Sequence, residues 1–329
     1  MLEDPGLDSR ELTAALRSAW GVDADAFVFV PGYDMRAASY DVAAADGRFF
    51  LKVRFGPVAD APLEVPRAIQ DAGVANVVAP LRTKTAALSH PMGDGRSMSL
   101  SPFVSGRSAM VAGMTADQWR AFGAALRAIH HSDLALQFRD RLPAETFRLP
   151  SAAAVTATLA QEPLLDSPAA MRLRAFLREQ GGRIRAMLER AEELRAGLAG
   201  RSFATVLCHA DIHAANLLVA DDGRVFLVDW DEPMLAPRER DLLFVIGSRI
   251  ARDVAPREEA WFFEGYGDVE VDSEGIVYYR YERIFEDIGE AGRSVLCDPA
   301  GSEASRAAEV AIVESIFGPG GMMETVEET

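Results

Sequence analysis

The chain has 329 residues, of which 49% are hydrophobic, and its 34 basic against 50 acidic side chains leave a formal net charge of −16. That apolar content supports one large or two ordinary domains with a sizeable core, and the acidity argues against non-specific binding to nucleic acid or to an anionic membrane. No run approaches the ~18 apolar residues of a membrane span, and the start, MLEDPGLDSRELTAAL, carries acids where a signal peptide would be basic, so a soluble, cytoplasmic protein is expected. Cys208 and Cys297 lack metal-type spacing, and Cys208 lies in an apolar run, so both are expected as reduced thiols. Among the basic residues only Lys52 and Lys84 are lysines. A chain that otherwise uses arginine has placed a compact ammonium at these two positions, where a planar guanidinium has the wrong shape and reach.

In chain order, SRELTAALRSAW places Leu12, Ala15, Leu16 and Trp20 at helical spacing behind a serine cap. Three strands follow, Phe27 to Val30, Ala38 to Ala43 and Arg48 to Arg54, linked by turns at Pro31-Gly32 and Asp46-Gly47 as an antiparallel meander. In the third, Phe49, Leu51 and Val53 share one face and Phe50, Lys52 and Arg54 the other, so Lys52 leaves the core side. The turn Pro31-Gly32-Tyr33-Asp34-Met35-Arg36 has the room to fold over phosphates through backbone N–H groups, although one glycine equally suits an ordinary hairpin turn. A helix is expected from near Pro66 to Gly73, with Glu64 just before it either as a helix-dipole partner or as an acid that holds Lys52. Strands are expected at Val77 to Arg82, Ala86 to Leu88 and Ser97 to Leu100.

Ser101-Pro102-Phe103-Val104-Ser105-Gly106 reads as an extended connector, after which the texture turns helical. It sets an expected boundary between an N-terminal lobe, 1–104, and a C-terminal lobe, 105–329. Thr115 caps a helix whose apolar face is Trp119, Phe122, Leu126 and Ile129, closed by His130 and His131 as C-terminal dipole partners. Residues 150–200 read as helical with a break at Gly181-Gly182 and a solvated Arg/Glu face. RERDLLFVIGSRI, EAWFFEGYG and the tail from Gly275 are expected to be helical, and the Gly-rich end from Gly318 to Thr329 to fray.

The stretch VLCHADIHAANLLVADDGRVFLVDWDE, from Val206 to Glu232, alternates apolar runs with a polar loop and ends on an acid, the pattern of strands presenting chemistry at their ends. Strand pairing would gather Asp211, Asn216 and Asp229. Phosphoryl transfer needs such a set: a carboxylate to accept a hydroxyl proton, an amide oxygen and a second carboxylate to hold magnesium, and a lysine for the phosphates. Each acid alone is an ordinary turn former or ion-pair partner; the joint pattern with Lys52 is what points to a kinase site. His209 and His213 have the i, i+4 spacing of a helical zinc pair, but they lie in a loop, without an intervening Glu or a third His nearby.

The motif His209-Ala210-Asp211-Ile212-His213-Ala214-Ala215-Asn216, with Val228-Asp229-Trp230-Asp231 after it, resembles the aminoglycoside phosphotransferase family, and within it the spectinomycin phosphotransferase branch. The resemblance covers about Phe27 to Ile250. It implies an α+β, bilobal protein-kinase-like fold, with an N-terminal antiparallel sheet lobe and a larger, mainly helical C-terminal lobe. It implies ATP and Mg2+ as cofactors, Asp211 as catalytic base, Asn216 and Asp229 as metal ligands, and Lys52 on the ATP phosphates. Glu64 would pair with Lys52, Gly32 would lie at the phosphate turn, and Pro102 and Val104 would read adenine through backbone groups. The acceptor would be a small amine-bearing polyhydroxylated molecule, with an aminoglycoside or aminocyclitol antibiotic favoured and resistance as the consequence; Asp231, Glu232 and His213 would face it. Choline, macrolides and amino sugars are alternative acceptors. A protein kinase fits less well, because Asp229 is followed closely by Arg238-Glu239-Arg240-Asp241 and an apolar helix, leaving little room for an activation segment. A pseudokinase would usually lack one of these acids or the lysine. In the tail, Glu282, Glu286 and Glu290 with Asp287 read as a solvated face, with carboxylates for a substrate amine as the other reading, and Trp261, Phe262, Phe263, Tyr266, Tyr278, Tyr279 and Tyr281 mostly as core, with a stacking surface for substrate as the other.

Overall fold

The computed structural model describes residues 3–32, 36–57, 59–299 and 302–327, so Tyr33, Asp34 and Met35 of the expected phosphate turn lie outside the described residues. The chain forms two compact units, Met1–Pro143 with Ala215–Pro233 and Glu264–Tyr266, and Ala144–Ala214 with Met234–Phe263 and Gly267–Thr329. The first unit runs past residue 104 because Gly106–Ser108 pairs with Leu217–Ala220, which in turn pairs with Val225–Leu227. Among the described residues no helix is long and apolar enough to cross a membrane.

In the first unit, strands β1 (Ala24–Val30), β2 (Ala37–Ala44), β3 (Gly47–Phe55), β4 (His90–Pro91) and β5 (Arg96–Pro102) form one antiparallel sheet in the order β1-β2-β3-β5-β4. The period of two sends Leu51 and Val53 into a core with Val42, Met98, Leu100 and, from the first helix, Leu12 and Leu16. Lys52 stands on the opposite face, as its alternation requires. That first helix, Ser9–Ala19, is capped by Asp8 and not by Ser9: the Asp8 side chain accepts from the Arg10 N–H at 2.9 Å. Lys84, the second lysine, donates to the Arg17 carbonyl of its last turn at 2.8 Å.

Two further expectations are corrected in this unit. The second helix begins at Ala61 and runs to Asp71, so Glu64 lies on its first turn. Pro62 is the first-turn proline, and Pro66, which suggested the start, sits inside the helix. Residues 77–82 and 86–88 form no strands. Val77 makes a single bridge to Leu227, Pro80 removes a ladder donor, and the Thr83 hydroxyl takes the N–H groups of Thr85 and Ala87 to build a turn.

Gly106 ends the connector with its backbone against the neighbouring strand, where a Cβ would stand 2.3 Å from the Val219 carbonyl oxygen. Gly106→Ala is therefore expected to destabilise the protein by about 1–3 kcal/mol through forced separation of Gly106–Ser108 from Leu217–Ala220, read as a lowered unfolding midpoint in denaturant. A midpoint equal to that of the natural protein would show that the pairing gives way freely.

In the second unit, helices Ser151–Ala160, Pro168–Leu198 and Glu303–Phe317 pack on Ser273–Leu296, and Thr205–Cys208 pairs antiparallel with Met234–Pro237. The Pro168–Leu198 helix runs unbroken through Gly181-Gly182, because buried Leu173, Leu177, Ile184 and Leu194 on one face outweigh the ~1 kcal/mol helix cost of each glycine. RERDLLFVIGSRI is helical only over Glu239–Leu242 and continues as turns. The chain end is not frayed over 322–326: Met322, Met323 and Val326 are buried, and Arg280 donates to the Thr325 carbonyl at 2.7 Å. Tyr278, Tyr279 and Tyr281 are core residues, as is Phe262.

Candidate active site

The exposed face of the sheet borders a cavity of about 450 Å³ in the first unit. Gly32, Lys52, Pro102, Val104, Asn216, Asp229 and Asp231 all line it, although they span 200 positions of sequence. β5 delivers Pro102 at its end, and Phe103 is pinned by its N–H to the Arg48 carbonyl at 3.1 Å, with the Arg48 guanidinium 4.1 Å over its ring. Asn216 and Asp229 arrive together because Leu217 pairs with Leu227 across the hairpin closed at Gly223, and the Val228 N–H donates to the Asn216 carbonyl at 3.0 Å. Asn216 is buried, whereas the Asp229 side chain is half exposed. Asp229 holds a left-handed backbone at φ 65°, a strained conformation of the kind that marks functional turns.

At the polar end, the Asp231 carboxylate is shared: one oxygen lies 2.6 Å from Lys52 Nζ and the other 2.6 Å from Arg54 Nη2. Lys52 also approaches Asp229 at 3.4 Å. Burial acts to raise the Asp231 carboxyl, but Lys52 and Arg54 outweigh it and hold the group low, at about 2. Asp231, expected to bind a substrate amine, thus has both oxygens committed to cations inside this cavity. Glu64 does not provide the expected partner for Lys52; its ion pair is with Arg141, and it lines a separate hollow with Arg67, Asp71 and Phe138. Glu232 is exposed.

Asp211 belongs to the second unit, on the loop that follows Thr205–Cys208. The loop is built around Asp241, which is fully buried and whose two carboxylate oxygens accept the N–H groups of His209 at 2.9 Å and Ala210 at 2.7 Å. Ala210 has φ 72°, so this double hydrogen bond holds a conformation that alanine does not favour. Arg283, from the Ser273–Leu296 helix, donates to Asp211 Oδ1 at 2.7 Å and reaches Asp287 Oδ1 at 3.1 Å; His213 Nε2 stands 3.4 Å from Asp211 Oδ2. Burial pushes the Asp211 carboxyl up, but the His213 contact and the Arg283 charge prevail and bring it to about 2. Asp287 goes the other way, raised to about 6 chiefly by burial, against the pull of Arg283.

Of the tail acids, Glu290 is solvated as expected, and the other three are not. Glu282 is buried, Glu286 pairs with Arg240 at 3.0 Å, and Asp287 faces Arg283. Three site residues, Arg54, Asp241 and Arg283, went unread in the sequence. Arg54 was signalled by its alternation with Lys52. Asp241 and Arg283 carry no local signal for their contacts with the His209–Asp211 loop, which lies far away along the chain, whereas Asp287 is the i, i+4 partner of Arg283.

A model of the phosphotransferase enzyme family matches residues 33–276. No curated protein matches the chain. Among solved structures, that of a spectinomycin phosphotransferase in complex with ADP and spectinomycin is similar at 28% identity, with 98% of each chain covered and a TM-score of 0.88. The AMP-bound complex of a spectinomycin phosphotransferase is also 28% identical, covering 98% of this chain and 99% of the other, at a TM-score of 0.86. An amicoumacin kinase in complex with AMP-PNP and Ca2+ has 13% identity over 98% of this chain and 94% of its own, at 0.65, and shows the fold alone. The α+β, kinase-like fold expected from the motifs is the fold of this chain.

Proposed function

The chain belongs to the phosphotransferase enzyme family, and we propose that it transfers the γ-phosphoryl group of ATP to a hydroxyl of a small amine-bearing molecule, an aminocyclitol of the spectinomycin kind. The observation that carries this reading is the first-unit cavity, which gathers a hinge end, a lysine and a pair of oxygen donors. Pro102 and Val104 would hold adenine through backbone groups, and Lys52 the phosphates, with Gly32 on the facing turn. The carboxylate of Asp229 and the amide oxygen of Asn216 are hard donors fit for a divalent cation such as Mg2+. Such an ion, when bound, neutralises phosphate charge. Asp211 would accept the hydroxyl proton. With its carboxyl held near 2 it is a weak base, which suits a loose phosphoryl transfer that needs the hydroxyl oriented more than deprotonated. His213 and Glu232 remain the proposed contacts for substrate. The 28% identity to spectinomycin phosphotransferase over nearly the whole chain supports the aminocyclitol class, and with it a role in antibiotic resistance.

An ADP-release screen over spectinomycin, aminoglycosides, macrolides, choline and sugars, with product masses checked, is expected to give a phosphorylated aminocyclitol, a product 80 Da heavier than its acceptor by the mass of HPO3. Turnover of choline or a macrolide alone would move the acceptor class, and phosphorylation of peptides alone would overturn the reading.

A further inference from the structure

We infer that Arg54 is a second phosphate-binding cation, acting beside Lys52 on the nucleotide, and that Asp231 holds the two side chains in the place that a phosphate takes over. The inference rests on the reading that the first-unit cavity holds the nucleotide.

β3 has alternating faces, so Lys52 and Arg54, two residues apart, project the same way, and both line the cavity. Neither is a free surface charge, since their side chains are 15% and 14% exposed. Two cations at this spacing in a half-buried site repel each other unless an anion lies between them. Asp231 is that anion, giving one oxygen to each at 2.6 Å. A carboxylate bridging a lysine and an arginine in this manner is arranged as a phosphate group would be, with separate oxygens for separate donors. Arg54 Nη1 also reaches the Ser99 hydroxyl at 3.4 Å, which fixes the guanidinium toward the cavity.

The charges support this assignment. Lys52 and Arg54 face Asp229 and Asp231, so these four side chains are neutral in formal charge. A polyphosphate entering a cavity whose one cation was already matched by two acids would be repelled. With Arg54 present, and Asp229 available to a metal, two cations face the phosphates. Glu64, the acid expected to orient Lys52, is engaged by Arg141, so Asp231 is the carboxylate that positions the lysine.

Isothermal titration of the full chain with ADP and with adenosine, each without added metal, tests this. Arg54→Met is expected to weaken ADP by about tenfold or more while leaving adenosine within about twofold, since only the phosphates meet Arg54. Arg54→Lys should recover most of the lost ADP affinity. Adenosine binding shows that each variant is folded at the cavity. Removing Arg54 also leaves Asp231 entirely to Lys52, so the substitution is repeated in Asp231→Asn. Direct contact predicts the same fold-loss of ADP affinity in both backgrounds; a loss that vanishes in Asp231→Asn would overturn the assignment. Equal weakening of ADP and adenosine, or unchanged ADP affinity, would overturn it as well. If the natural protein binds adenosine and ADP equally, the cavity holds no phosphates and the inference falls; if it binds neither, the nucleotide reading falls with it.

Discussion

Asp211→Asn is expected to lower kcat by about a thousandfold while leaving the dissociation constant for ADP unchanged. The substitution keeps the size and one acceptor oxygen of the side chain but removes the charge that receives the hydroxyl proton. It also leaves Arg283 facing a neutral amide, with Asp287 as its remaining ion-pair partner. The nucleotide cavity is lined entirely by first-unit residues, none of them on the Asp211 loop before Ala215, so nucleotide affinity should be insensitive. The pH dependence follows from the carboxyl at about 2. A depressed carboxylate adds stability that is present above its unfolded value, about 4, and lost as the pH falls from there toward 2. No acid limb of kcat above pH ~4 should therefore come from Asp211. A rate for Asp211→Asn within tenfold of the natural enzyme would remove Asp211 from the mechanism, whatever the acceptor.

What could be read from the sequence follows the range of the interactions involved. The β-meander was legible because period-two alternation and Asp46-Gly47 are local signals, and the register of β3 put Lys52 where alternation required. Asn216 and Asp229 were legible because one hairpin joins them. The failures are tertiary. Pro66 imitated a helix start that Pro62 in fact makes, since the sequence rule cannot rank two prolines four residues apart. Gly181-Gly182 looked like a break because the packing that overrides it comes from other helices. Glu282, Glu286 and Asp287 have the spacing of a solvated face, but the distant Ser151 N–H and Arg240 engage Glu282 and Glu286, and Arg283, four residues away on the same helix, pairs with Asp287. Asp231 was read as a substrate ligand because nothing near it in the chain reveals that Lys52 and Arg54, almost 180 positions earlier, occupy both its oxygens.

Asp241 presents the second large effect, and its partners make the expected result unusual. Both of its oxygens are used by backbone N–H donors, those of His209 and Ala210, in a place with no exposure. Asp241→Ala leaves two buried N–H groups without acceptors, a cost of about 3 kcal/mol or more, and frees a strained Ala210 at φ 72°. Asp241→Asn is expected to be nearly as damaging despite its similar shape. An amide offers one acceptor oxygen, and its NH2 would point at the other N–H, donor against donor. Both variants should unfold at a midpoint lower by about 6 °C. Their kcat should fall at least about a hundredfold, because the loop no longer fixes Asp211, while ADP affinity stays near that of the natural protein. If Asp241→Asn matched the natural enzyme in both stability and kcat, one acceptor would suffice, and the strained loop would owe its shape to something other than Asp241.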